Sequence, residues 1–221
     1  MTNIVHEVWK ILDTSPSIRK DLALGLINNS ALARYIIEEK KVKGNTDAIL
    51  SAIRRYEFDP SIDLINTANK IICQSSVSTK SKLANINIMK DNTTQKIIPK
   101  LFSLINYNQG DVLRIIQADE SIKILVDEKN LEKVTKMLTK DKIINIDENL
   151  GEINIHLHPE AKNTPGIVAV ISNELLMNGI NVMETMSCVP ELLWFVKEED
   201  LLNAYNVFFQ LCNNIKKEKD I

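Results

Sequence analysis

One run of residues in this chain is written twice. Residues 85–88, NINI, return as EINI at 152–155, and SIKILVDEKNL at 121–131 returns as ELLWFVKEEDL at 191–201. Val112 stands as far from Val182 as Val126 does from Val196. A repeat held at constant offset means duplicated structure. The fold must therefore contain two like parts, each with an apolar face to bury.

The order of periodicities says what each part is. In the first copy, LANINIMK alternates with period two and reads as a strand. TQKIIPKLFSLI reads as a helix, with Pro99 near its first turn or at a kink. DVLRIIQ and SIKILV read as strands, LEKVTKMLTK as an amphipathic helix and KIINID as a strand. The second copy repeats the series with EINIHLH, PGIVAVISNELLMNG, INVMETMS, LLWFVK and EDLLNAYNVFFQLC, but NNIKKEKDI offers no closing strand. A β-α-β-β-α-β unit forms a four-stranded antiparallel sheet with two helices on one face, the ferredoxin-like arrangement. Alternation turns Ile153, Ile155 and Leu157 toward the helices and leaves Asn154, His156 and His158 on the open face, which invites the other copy or a second chain.

The residues before the repeat read as helices. Thr2 or Asn3 caps the first, and Ser15-Pro16 opens the second. Ser30 caps a third over 31–39, Thr46 a fourth over 47–57, and a fifth covers 62–73. QSSVSTKS, polar and serine-rich, reads as a boundary. The expected class is α+β: an all-α, helix-turn-helix-like domain over 1–74, a linker over 75–82, and two ferredoxin-like βαββαβ units over 83–148 and 149–221.

The third and fourth helices resemble a helix-turn-helix. Ala48, Ile49, Ala52, Ile53 and Tyr56 form a buried side, leaving Ser51, Arg54 and Arg55 outside, with Lys43 nearby, as candidate contacts to phosphates or guanine edges of duplex DNA. Charge weighs against this. The first sixty residues hold nine Lys and Arg against eight Asp and Glu, and phosphate binding draws its affinity mostly from positive charge. The alternative is a helical domain that grips a protein.

HPEAKNTPGI joins the first strand of the second copy to its first helix. A helix start offers unpaired N–H groups and a partial positive charge, which suit a carboxylate or phosphate. On this reading Asn163 or Thr164 caps the helix, Pro165 follows at its first position, and Gly166 lets a ligand approach the backbone. Asn181, in GINV at the entry to the next strand, would lie beside the loop. The competing reading is a capped helix start and a turn, with no guest.

The second copy resembles an ACT domain, with a glycine opening the first helix, a G-I-N entry to the second strand, an apolar third strand and an acidic turn into the second helix. It is most similar to the regulatory ACT units of aspartate kinases, whose G-I-N-I element matches Gly179-Ile180-Asn181-Val182. The resemblance implies sensing of an amino acid or similar small carboxylate at seams between ACT units, with ligand-binding positions at Asn163, Thr164, Pro165, Gly166, Ile167 and Asn181, and a homo-oligomer, a dimer, formed through those units. The first copy is less similar, and its KDNTTQK loop lacks the Pro-Gly. The whole layout resembles a small microbial family described as regulators of amino acid metabolism. That leaves two expectations: a transcriptional regulator, or a stand-alone subunit that controls an enzyme of amino acid synthesis.

Other chemistry is not expected. The net charge of −2 gives no global attraction to nucleic acid or an anionic membrane. No apolar run reaches bilayer length, and the N-terminus lacks the blocks of a signal peptide. With Cys73, Cys188 and Cys212 isolated, a reducing cytoplasm is the expected location. His156 and His158, with Glu152 as a third ligand, read as exposed polar positions rather than a metal site. Met177, Met183 and Met186 read as core filling. No Gly-rich phosphate loop and no convergent acid, base or nucleophile is visible, so neither a cofactor nor an enzyme is expected.

Overall fold

The computed structural model describes residues 4–57 and 61–217. The chain divides into two units, Met1–Asn66 and Thr67–Ile221.

The first unit holds α1 (Ile4–Asp13), α2 (Pro16–Ala23), α3 (Asn29–Glu38) and α4 (Thr46–Arg54). Val8, Leu12, Leu32, Ile36, Ile49 and Ile53 bury their apolar stripes against one another. Two long-range hydrogen bonds pin the ends of this core: Trp9 Nε1 donates to the Ala52 carbonyl at 3.0 Å, and the Tyr56 hydroxyl to Asp13 at 2.6 Å. The caps of α3 and α4 differ from the expected Ser30 and Thr46. Asn28 accepts from the amides of Ser30 and Ala31, and Asn45 from that of Asp47. Both asparagines are extended, as a cap must be, whereas Ser30 and Thr46 are already helical. The Thr2 or Asn3 cap lies outside the described residues.

The second unit begins inside α5 (Ser61–Ile72), whose Ala68, Ile71 and Ile72 belong to its core. There follow β1 (Ser76–Met89), α6 (Asn92–Gln95), α7 (Ile98–Leu101), β2 (Leu113–Gln117), β3 (Ser121–Asp127), α8 (Glu128–Thr135), β4 (Ile143–His156), α9 (Ile167–Met177), β5 (Val182–Cys188), β6 (Glu191–Lys197) and α10 (Leu201–Lys217). The class is α+β, with one six-stranded antiparallel sheet in the order β2-β3-β1-β4-β6-β5.

The strands correct the expected division. Residues 75–82 are not a linker, because from Ser76 they are already β1. Residues 76–80 pair with 152–156 of β4, the same ladder position that 143–147 take beside 85–88 in the first copy. A strand there is exposed, so Ser, Thr and Lys serve as well as Val or Ile. KIINID and EINIHLH are likewise one strand, β4, and not two. Both long strands bend midway, where Lys82 and Asn149 take positive φ of 57° and the pairing register shifts between Lys80 and Leu83.

The repeat is visible in the register. Ile86 opposite Ile124 becomes Ile153 opposite Trp194, and Arg114 opposite Leu125 becomes Glu184 opposite Phe195. Each half of the sheet carries helices on one side. Ile86, Ile88, Ile122 and Ile124 pack with Leu101 and Val134, while Ile153, Ile155 and Trp194 pack with Ile171, Leu175 and Phe208. The other faces meet within the chain. Leu83, Val112, Leu125, Leu150, Leu193 and Phe195 form one buried cluster, with Met183 and Met186 against it. Met177 is exposed, so it does not fill a core. Two ion pairs cross this seam: Arg114 to the buried Glu152 at 3.2 Å, and Lys123 to Glu184.

The single helix expected over TQKIIPKLFSLI breaks into α6, α7 and a 3₁₀ turn, because Pro99 cannot donate and sits in the first turn of α7. Among the described residues no helix is long and apolar enough to cross a membrane.

Candidate functional site

The loop between β4 and α9 is a 3₁₀ turn, Pro159–Asn163, followed by Thr164, Pro165 and Gly166. Neither Asn163 nor Thr164 caps α9. The Thr164 hydroxyl donates backward to the Glu160 carbonyl at 2.8 Å, and Gly166, at φ +90°, is itself the residue before the helix, with no side-chain cap. Glycine is required by that φ, since a Cβ would meet only Ala68, at 3.9 Å.

Beside this helix start lies a cavity of about 530 Å³. Of the six expected ligand positions, Thr164, Gly166 and Ile167 line it. Asn163 and Pro165 are exposed in the same loop without lining it. Asn181 is elsewhere. It follows the C-terminal end of α9, about 16 Å of helix away, and its amide donates to the sulfur of Met183 at 3.4 Å.

The opposite wall comes from residues outside the expected ligand positions: Leu157 at the end of β4, and Ser187, Val189 and Leu192 around the β5–β6 turn. A signal for them was present. β4 and β5 both run antiparallel to β6, hence parallel to each other, so the end of β5 returns to the end of β4 where α9 begins.

The corresponding loop of the first copy is closed by its own side chains. Asp91 accepts from the amides of Thr93 and Thr94 at 2.8 Å each, and Thr94 accepts from the Asp91 amide. The Lys142 ammonium lies 2.8 Å from the Asp91 carboxylate. That ammonium, with the two amides, holds the Asp91 carboxyl well below the usual carboxylate range.

Among the described residues no group of three or more His, Cys, Asp and Glu side chains is placed to hold a metal ion. Glu152 is engaged by Arg114, and His158 accepts from the Glu160 amide at 3.4 Å.

In the first unit, Ser51, Arg54, Arg55 and Lys43 are all exposed. Arg55 folds back, its Nε donating to the Ser51 carbonyl at 3.3 Å. The connection between α3 and α4, residues 39–45, is longer than the turn of about three to four residues that joins a helix-turn-helix.

No protein-family model matches the chain, and no curated protein matches it. Solved structures do. The regulatory subunit of aspartate kinase from Thermus flavus matches with a TM-score of 0.51 at 13% identity, over 61% of this chain and 95% of that one. Aspartokinase alpha and beta subunits match at 0.50 and 15% identity, over 62% and 97%. The aspartate kinase of Clostridium acetobutylicum matches at 0.50 and 17% identity, over 62% of this chain and 34% of that one. At these identities the likeness is one of fold.

Proposed function

We propose that the chain is a regulator that senses a small carboxylate, an amino acid, at the β4–α9 loop, and that it is not an enzyme. The observation that carries this reading is the cavity itself: a helix start with no side-chain cap, opened by Gly166, beside about 530 Å³ of space. That volume is ordinary for a small-molecule site. The fold shared with a regulatory subunit of aspartate kinase supports the reading.

In the finer form of the proposal, the two halves of the sheet are two ferredoxin-like ACT units that exchange their closing strands through β1 and β4. The chain self-associates through them as a dimer, and the second unit alone takes the ligand at Thr164, Gly166 and Ile167, with Asn163 and Pro165 flanking. Asn181, at the far end of α9, would reach a ligand only from a neighbouring unit. The output domain, expected over 1–74, ends at Asn66, because Ala68, Ile71 and Ile72 belong to the core of the second unit, and the protein works in the cytoplasm.

The output has two forms. Exposed Lys43, Ser51, Arg54 and Arg55 would contact duplex DNA in a transcriptional regulator. The long α3–α4 connection and the near-balance of charge favour the second form, in which this domain binds and controls an enzyme of amino acid synthesis.

A thermal-shift screen of the full chain against the proteinogenic amino acids tests the sensing. A binder raises Tm, and Ser187→Trp, an exposed position that would fill the cavity, removes the rise. If none raises Tm, the sensing is wrong. A salt-dependent shift of duplex DNA, lost on Arg54→Ala with Arg55→Ala, would select the DNA form; retention of a biosynthetic enzyme without any DNA shift would select the other.

A further inference from the structure

Resting on the sensing reading, we infer that the ligand is an aliphatic α-amino acid of the leucine, isoleucine or valine kind, and not a basic or acidic one. The walls decide this. Leu157, Ile167 and Leu192 form a floor that is at most 6% exposed. Val168 and Val189, at 52% and 57% exposure, stand at the rim as apolar surface that a branched side chain would cover.

The one ionisable lining residue is Lys162. A lysine or arginine ligand would bring a second cation onto the apolar floor with no carboxylate to receive it. An aspartate or glutamate ligand would bury its side-chain carboxylate against Leu157 and Leu192. The first arrangement sets a charge against apolar surface without a partner, and the second makes two carboxylates compete for the single cation Lys162. A ligand with a single carboxylate can instead direct it to Lys162 and the first turn of α9, and lay its side chain on the floor.

The ammonium is provided for by Thr164. With its hydroxyl proton donated to the Glu160 carbonyl, the oxygen of this lining residue keeps only acceptor capacity for a ligand. An ammonium satisfies it, whereas the keto oxygen of the corresponding keto acid does not. This distinguishes the amino acid from its keto acid within the same aliphatic class.

Isothermal titration calorimetry of the full chain with L-leucine, the keto acid of leucine, L-lysine and L-aspartate tests the inference. L-leucine should bind at least about tenfold more tightly than L-lysine or L-aspartate, and more tightly than its keto acid. Val189→Asp, a change at an exposed rim position, should weaken L-leucine by at least about tenfold. L-lysine or L-aspartate binding as tightly as L-leucine, and lost in Ser187→Trp, would overturn the aliphatic class while leaving the sensing intact. Tighter binding of the keto acid would overturn the role given to Thr164 and with it the amino acid. Silence from all four probes would overturn the inference, and the full amino acid screen would then decide whether the sensing falls too.

Discussion

The two halves of the sheet leave their first strands alike and enter their first helices differently. After β1 the chain turns on Asp91, whose carboxylate takes the amides of Thr93 and Thr94 and pairs with Lys142. After β4 the chain turns on Gly166, no side chain caps the helix, and a cavity lies beside it. In the first loop a carboxylate belonging to the chain meets the exposed amides of a helix start. In the second, no side chain among the described residues caps the helix start. A duplicated framework thus holds one loop that is chemically complete and one with capacity for a guest.

The largest effect should come from breaking the tie between the halves. Arg114 of β2 is 30% exposed at its side chain and Glu152 of β4 only 2%. Arg114→Ala leaves the Glu152 carboxylate buried without a partner, at a cost of about 3 kcal/mol, read from the urea unfolding midpoint of the full chain. Amides of β2–β3 and of β5–β6 should lose hydrogen-exchange protection together. Loosening confined to β2–β3 would mean that this ion pair is not what ties the halves together.

A smaller effect is expected at Gly151, where β4 passes from one half to the other. A Cβ there would stand 2.8 and 2.9 Å from the two methyls of Leu201 and 3.0 Å from its Cβ. Gly151→Ala should destabilise by about 1–3 kcal/mol through overpacking. The loss should fall on the second half, where Leu201 opens α10. Leu201→Ala should then harm Gly151→Ala less than it harms the unaltered chain. Equal harm in the two backgrounds would show that the close approach to Leu201 is not the cause.

Much of this was legible in the sequence, and what was missed has physical causes. Period-two alternation located Ile153 and Ile155 on the helix-covered face, because one-sided burial writes itself into every second residue. In sequence, residues 76–80 read as a linker because an exposed strand is held by backbone pairing, on which Ser and Thr leave no mark. The loop before α9 was marked by Pro165-Gly166, and Gly166 takes a positive φ there. The far wall of the cavity was not marked, because Ser187, Val189 and Leu192 become neighbours of Gly166 only through the parallel return of β5. Asn181 was misplaced beside the loop for the same reason: adjacency to the helix in sequence says nothing about which of its ends is near.

The smallest effect is also the sharpest test of the two loops, and it is read with acid. Asp91 is held well below the usual carboxylate range, by Lys142 first and then by the Thr94 and Thr93 amides. Asp111, just before β2, is lowered to about 2 by Lys129, then Asn130, then the Asn106 amide. Each binds its proton less readily folded than unfolded. Their contribution is therefore complete above the unfolded pKa of about 4 and drains away as pH falls through the lower folded values. Their partners Lys142 and Lys129 are raised, so that contribution is whole at neutral pH and fades only as pH climbs past about 10.4. All four groups lie in the first half. On acidification the amides of β2–β3 should lose exchange protection before those of β5–β6. Asp91→Asn with Asp111→Asn should flatten the acid slope below about pH 4, leaving the order of loss reversed or erased. An unchanged slope in that double variant would mean that the closed loop is not held by its carboxylates, and the contrast with the open loop would have to rest on shape alone.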